Sequence, residues 1–177
     1  MSFIETERLI ICPFERHHLT ETYVSWLNDK SVCEFNGHRH FPYTMAKAES
    51  YLEYISKASA LIVVALHQKS DNAHIGNASI GDIDFLNSSA TLNILIGEKE
   101  SWGKGYAFEA LNALLRHAFL ELNLNRVSCG TSDCNIAMQR VALKLGMKQE
   151  GIRRSAMYKN GSYVDMLDYS ILKSEYK

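Results

Sequence analysis

Proline is nearly absent. Pro13 and Pro42 are the only two in 177 residues, and neither lies in a Pro/Gly/Ser-rich stretch. That excludes a proline-rich linker and leaves one continuous domain, residues 1–177. Cysteine is sparse as well. Cys12, Cys33, Cys129 and Cys134 form no Cys-x-x-Cys pair, which excludes a zinc ribbon or a dithiol redox motif and predicts free, buried thiols. No apolar run approaches the roughly 18 residues of a membrane span, so no membrane partner is expected. The opening Met1-Ser2-Phe3-Ile4-Glu5 lacks the basic and apolar regions of a secretory signal, so the expected compartment is the cytoplasm. Neither charge sign prevails, with 19 Lys+Arg against 20 Asp+Glu and a net charge of -1. A general nucleic-acid binder carries a clear basic excess, so nucleic acid is not an expected partner.

What is present is ordinary for a globular protein: 46% hydrophobic and 22% charged residues, enough to build a core without staples. The apolar pattern predicts a strand at 8–12, a helix at 18–27, a loop at 35–43 and a helix at 45–59 capped by Thr44. Three strands joined by short turns follow at 61–66, 75–85 and 91–96 and suggest an antiparallel meander. Ala107, Ala110, Leu111, Leu114, Leu115, Ala118, Phe119 and Leu122 then repeat at helical spacing over about five turns. A strand at 126–132, a helix at 136–145 capped by Asn135 and closed by Gly146, and a hairpin turning at Asn160-Gly161 complete the chain. The fold class is mixed α/β.

Chemistry concentrates where the third meander strand meets the long helix, at Gly97-Glu98-Lys99-Glu100-Ser101-Trp102-Gly103-Lys104-Gly105-Tyr106-Ala107. The first turn of a helix leaves backbone N–H groups unpaired at its positive end. Gly103 and Gly105 remove the side chains that would bar close approach, and Lys104 adds a mobile charge. The combination suits a pyrophosphate. It is not a P-loop, because Lys104 is followed by Gly105 instead of Ser or Thr. It is not the dinucleotide fingerprint either, because Phe108 stands at the third glycine position.

The order of strand, glycine loop, long helix, strand and Asn-capped helix resembles the GNAT superfamily of N-acetyltransferases. The resemblance rests on Trp102-Gly103-Lys104-Gly105-Tyr106-Ala107 with Glu109-Ala110, on the block from Asn135 to Met147, and on Asn160-Gly161-Ser162-Tyr163-Val164-Asp165 with Tyr169-Ser170. Thr6-Glu7-Arg8-Leu9 and Trp26-Leu27-Asn28-Asp29 also fit. The branch it looks most like contains the ribosomal-protein N-terminal acetyltransferases, alongside enzymes acting on polyamines, antibiotics and sugar-nucleotide amines. The resemblance implies a twisted, mostly antiparallel sheet of about seven strands flanked by four helices and splayed at a cofactor cleft. It implies acetyl-CoA as co-substrate, no metal, and a primary-amine acceptor. Relatives of this kind are often monomers or dimers, and a homodimer is expected.

By the same resemblance the pantetheine arm lies on the backbone of Ile94, Leu95 and Ile96, and the pyrophosphate on Gly103, Lys104, Gly105, Tyr106 and Ala107. Trp102 occupies a position that is Gln or Arg in relatives. Asn135 is a further cofactor contact, and Arg140 and Lys144 either reach the CoA phosphates or face water. A backbone N–H near Leu95 would stabilise the oxyanion of acyl transfer. The proton-transfer positions depart from the family: Thr91, Met138 and Ala142 replace its glutamate, serine and tyrosine. Asp82 and Asp84 share one strand face and are the remaining base candidates, or else a solvated edge. His38 and His40 share a side if their segment is extended. The loop 36–40, with Arg39, carries positive potential that would suit a phosphate-bearing acceptor such as a nucleotide-linked amino sugar. The alternatives are a polyamine, a peptide N-terminus, or a non-catalytic acyl-CoA sensor.

Overall fold

The computed structural model describes residues 1–176, and Arg39 through its backbone alone. The chain runs through strands β1 (Ile4–Glu5) and β2 (Leu9–Pro13), helices α1 (Glu21–Asn28) and α2 (Met45–Lys57), and strands β3 (Ile62–Gln68), β4 (His74–Asp84) and β5 (Ser89–Ile96). Helix α3 (Tyr106–Leu120), strand β6 (Arg126–Ser132), helix α4 (Ile136–Lys144) and strands β7 (Lys148–Lys159) and β8 (Ser162–Leu172) follow. They form one eight-stranded sheet in the order β1-β2-β3-β4-β5-β6-β8-β7. Every neighbouring pair is antiparallel except β5 and β6. The strand that the sequence pattern passes over is β1, whose two residues are too few to show a period.

Local chemistry sets the helix ends. Thr20 and Thr44 accept hydrogen bonds from the Tyr23 and Lys47 N–H groups and cap α1 and α2. The Thr20 cap places the start of α1 after His18, which sits instead in a short 3-10 turn, Arg16–His18. Helix α3 has 15 residues, about four turns. The chain leaves it through Asn123 at φ 53°. The β7–β8 hairpin turns at Asn160 and Gly161 with φ 48° and 90°, the left-handed pair that an Asn-Gly turn adopts.

Two cores flank the sheet. Leu111, Leu114, Leu115 and Phe119 of α3 pack with Ala142 of α4 against Ile11, Leu66, Ile80, Leu92 and Val127. On the other face Tyr23, Trp26 and Leu27 of α1 and Ala48 of α2 pack with Phe14 and Ala65. Only Cys33 and Cys129 are buried; Cys12 is half-buried and Cys134 exposed just beyond β6. Among the described residues no helix is long and apolar enough to cross a membrane.

Candidate active site

The sheet opens at its one parallel junction. Strand β5 pairs with β6 only from Ser89 to Thr91, opposite Arg126 to Ser128. Yet β4 follows β5 to Ile96, and β8 follows β6 to Ser132. Beyond the third rung the two strands part, so residues 92–96 and 129–132 face each other across a cleft. The hydroxyls of Thr91 and Ser128 stand 3.5 Å apart at its apex. Ile94, Leu95 and Ile96 line one arm. Behind them β4 must be glycine: a methyl on Gly76 would lie 2.2 Å from the Leu95 carbonyl and 2.9 Å from Ile96 Cα. Gly97 is constrained in the same way, since a methyl there would enter the Trp26 ring.

The open end of this fork leads into the glycine loop. Gly103 and Gly105 have φ 71° and 86°, a region that L side chains enter only with strain. Gly105 is the N-cap of α3, and the first helical bond runs from Glu109 N–H to the Gly105 carbonyl. The N–H groups of the first turn therefore have no partner within the helix. A methyl on Gly103 would meet nothing within 4 Å, so the loop presents open backbone, as a pyrophosphate cradle requires.

Side chains distant in sequence hold this loop. The Trp102 indole N–H donates to the Ile96 carbonyl at 2.8 Å and fastens the loop to the end of β5. Gln68 donates to Ser101 at 3.2 Å and accepts from the Tyr106 hydroxyl at 2.9 Å. Arg8 donates to the Lys104 carbonyl at 2.8 Å, forms a salt bridge with Glu109 at 2.6 Å, and lies over the Tyr106 ring at 4.7 Å. Glu109 also accepts from the Thr6 hydroxyl and the Arg8 backbone N–H. Burial is the largest single effect and raises its pKa, but these contacts together outweigh it and keep the carboxyl below the ordinary carboxylate range.

The other expected residues lie on α4, on β4 and in the 38–40 segment. Asn135 caps α4, its side chain accepting from Met138 N–H at 3.2 Å. Arg140 lies exposed on α4, and the Lys144 ammonium stacks on the Phe108 ring at 4.1 Å. Ala142 is fully buried in the core and Met138 packs against it. Asp82 and Asp84 are not a paired face of a regular strand. The β4 register shifts between Gly81 and Asp84, and Asp82 is exposed at φ 49°. Asp84 accepts from the backbone and side chain of Asn87 at 2.9 and 2.6 Å and closes the β4–β5 turn. Those bonds hold its carboxyl below the ordinary range, which weakens it as a base. His38 and His40 lie in a 3-10 turn instead of an extended segment, and the Arg39 side chain is outside the described residues.

A cluster that sequence spacing does not reveal lies beneath α1. His18 is buried, and its Nδ1 accepts from Glu15 N–H at 2.9 Å. Its proton is therefore on Nε2, 3.1 Å from His67 Nε2, while His67 Nδ1 donates to the Asn72 carbonyl at 2.9 Å. With Cys12 these residues bring three ligand atoms within 4.8 Å of one another. A neutral His18 bound to a metal through Nε2 would need its proton on Nδ1, where the Glu15 N–H already points. Hydrogen bonding thus accounts for the histidine pair as it stands.

Burial, with help from the neighbouring histidines, pushes the His18 pKa down to about 3. The unfolded chain takes up a proton near the ordinary value of 6.5, and the folded chain does not until about 3. Stability from this group is present above 6.5 and is lost as pH falls through that window, by at most about 1.4 kcal/mol per pH unit. His18→Asn keeps an acceptor for Glu15 N–H and does not titrate. Denaturant midpoints measured across the window should fall less steeply for this variant than for the wild type.

The sheet is thus forked, and the open end of the fork runs onto a glycine loop at a helix N-terminus. The family model described as an acetyltransferase (GNAT) domain matches residues 8–148, and the chain belongs to that family. The putative ribosomal N-acetyltransferase YdaF of Bacillus subtilis (strain 168) is 35% identical over 107 residues, covering 60% of this chain and 58% of the relative. This chain thus spans little more than half of that relative's length. Among solved structures, spermidine N-acetyltransferase from Vibrio cholerae in complex with CoA and spermine superposes with a TM-score of 0.87 at 22% identity, covering 97% of this chain and 99% of the other. RimL, a ribosomal L7/L12 alpha-N-protein acetyltransferase in complex with CoA, gives 0.86 at 16% identity over 97% and 98%. At these identities the two structures establish the shared fold.

Proposed function

We propose that the protein is a single-domain, cytoplasmic N-acetyltransferase that moves an acetyl group from acetyl-CoA to a primary amine. The observation that carries this reading is the continuity of the β5–β6 fork with the glycine loop of α3. The backbone of Ile94, Leu95 and Ile96 offers the strand edge for the pantetheine arm. Gly103 to Ala107 offer N–H groups for the pyrophosphate, and the N–H region around Leu95 the oxyanion site. Trp102 acts on the cofactor through the loop shape that its bond to Ile96 fixes. Lys104 is exposed on the loop and supplies charge. Asn135 acts by setting the start of α4 at the cleft mouth.

The acceptor is a protein N-terminus or a small amine. Similarity to YdaF supports the ribosomal-protein branch, and the shared fold of the polyamine enzyme keeps a polyamine in view. Thr91, Met138 and Ala142 supply no strong acid or base, which fits direct amine attack with proton loss to water. The leaving thiolate needs little assistance, its thiol resembling cysteine with a pKa of about 8.5. The same three residues favour a second reading, a sensor that binds acyl-CoA without turnover. Thiol release from acetyl-CoA against peptides, polyamines, aminoglycosides and nucleotide-linked amino sugars separates the two. Release with one amine class is expected. Tight acetyl-CoA binding with no release across the panel would leave the sensor or an acceptor outside the panel.

A further inference from the structure

The face of the sheet opposite α3 holds a carboxylate beside the fork that none of the family positions supplies. Leu167 and Tyr169 point into the α3-side core, so Asp168 between them points to the other face. It pairs with Gly130 of β6 on one side and Gly151 of β7 on the other. Gly130 belongs to the far arm of the fork, two residues past the last rung at Ser128. Because Gly130 has no side chain, Asp168 leans across it: a methyl on Gly130 would lie 3.3 Å from Asp168 Oδ1 and 3.3 Å from Arg153 Nη2. The carboxylate therefore overlies the cleft wall itself.

Arg153 holds it there. Its Nε donates to Oδ2 at 2.9 Å and its Nη2 to Oδ1 at 2.9 Å. Nε is also 3.2 Å from Oδ1, so of the roughly four lone-pair sites of a carboxylate Arg153 engages three. The Asp168 side chain remains 41% exposed, which leaves its outer side open to a donor. Across the cleft on the same face stands a neutral surface: Thr91 at the apex, and Asn93 donating to Ser79 at 3.3 Å. Asp82 lies in the bulge alongside the closed rungs, between the Gly81–Thr91 and Asp84–Ser89 pairs, and Asp84 is bound to Asn87. Asp168 is thus an acidic group that the fold brings to this face of the open fork, level with Gly130 two residues past the last rung.

We propose that Asp168 binds the acceptor as an ammonium ion, with Arg153 as the positioning residue that fixes its carboxylate over Gly130. The proposal rests on the amine-acetyltransferase reading above. The acceptor arrives as R–NH3⁺ and loses one proton to solvent. The freed lone pair forms the C–N bond as the C–S bond of the thioester breaks. The nitrogen loses its second proton, and the departing thiolate takes up one. The balance is R–NH3⁺ plus acetyl-CoA giving the amide, CoA thiol and one proton. A cationic amine gains a charge-assisted bond at Asp168, while the neighbouring Arg153 repels acceptors with a second cationic centre close to the first.

The test follows thiol release from acetyl-CoA with spermidine, a peptide bearing a free N-terminal serine and a nucleotide-linked amino sugar. Wild type, Asp168→Asn and Arg153→Gln are compared, with acetyl-CoA affinity measured by calorimetry and folding by thermal melting. With the amine that the wild type uses, Asp168→Asn should raise the amine KM about tenfold or more and leave acetyl-CoA affinity and melting nearly unchanged. A bond lost to a charged group corresponds to that range. Arg153→Gln should raise the amine KM less, because the Asp168 carboxyl is still present but loses its direction. An amine KM within twofold of wild type in Asp168→Asn would overturn the proposal. A merely structural role would appear as lower melting with an unchanged KM. A wild type silent on these amines and on the aminoglycosides of the wider panel would overturn the acetyltransferase reading, and that failure shows before any variant is examined.

Discussion

Replacing Gly105 by glutamate abolishes acetyl-CoA binding and leaves the chain folded. Gly105 caps α3 at φ 86°, and a methyl there would stand 3.4 Å from Arg8 Nη2. Two consequences follow for a glutamate. It sets a negative charge among the N–H groups proposed to hold a pyrophosphate, at the positive end of a 15-residue helix. It also competes with Glu109 for Arg8 and draws the guanidinium from the Lys104 carbonyl, which it now holds at 2.8 Å. Both act against the ligand, and a loss of affinity above about 100-fold, roughly 2.7 kcal/mol, is the expected result by calorimetry. Gly105→Ala separates charge from backbone strain. It carries the left-handed conformation, costing about 1–2 kcal/mol, but no charge, and should bind within about tenfold of wild type. Circular dichroism should show both variants folded, because the core side of α3 is untouched. Near-wild-type affinity in the glutamate variant would move the phosphate away from this loop.

The parts of this molecule legible in the sequence are those whose physics is local. Thr44 and Asn135 announce helix starts because a cap acts within three residues, and both cap as expected. Asn160-Gly161 announces its turn through backbone preference alone, and the α3 core face follows from its own period. What stayed hidden depends on register between distant segments. Arg8 meets Glu109 across 101 positions, and Arg153 reaches Asp168 across a bulged strand pair. His18 and His67 meet only because a short turn folds over β3. Asp82 and Asp84 show the opposite error. Their spacing of two suggests a shared strand face, but the bulge after Gly81 and the Asn87 turn break the alternation on which that reading depends. The family resemblance supplied the cleft, and the three-rung pairing of β5 with β6 gives it a physical form.

Gly76→Ala tests whether that form is what the site uses. The added methyl would meet backbone, the Leu95 carbonyl at 2.2 Å and Ile96 Cα at 2.9 Å. A clashing side chain can swing aside, but a strand held by β4 along residues 91–96 cannot. Overpacking of this kind costs about 3 kcal/mol, which lowers the melting temperature by roughly 6–12 °C in a chain of this size. Relief requires the end of β5 to move, and that end carries both the Ile94–Ile96 edge and the Ile96 carbonyl that anchors Trp102. The strand edge and the glycine loop should therefore fail together, with acetyl-CoA affinity falling about tenfold or more, a change of roughly 1.4 kcal/mol. Gly151→Ala is the control, since a methyl there meets nothing within 4 Å. If Gly76→Ala melts early but binds acetyl-CoA normally, the close approach of β4 to β5 serves folding alone. If both change, the missing side chain at position 76 is part of how the cleft is made, because the same contact that packs the sheet also aims its open edge.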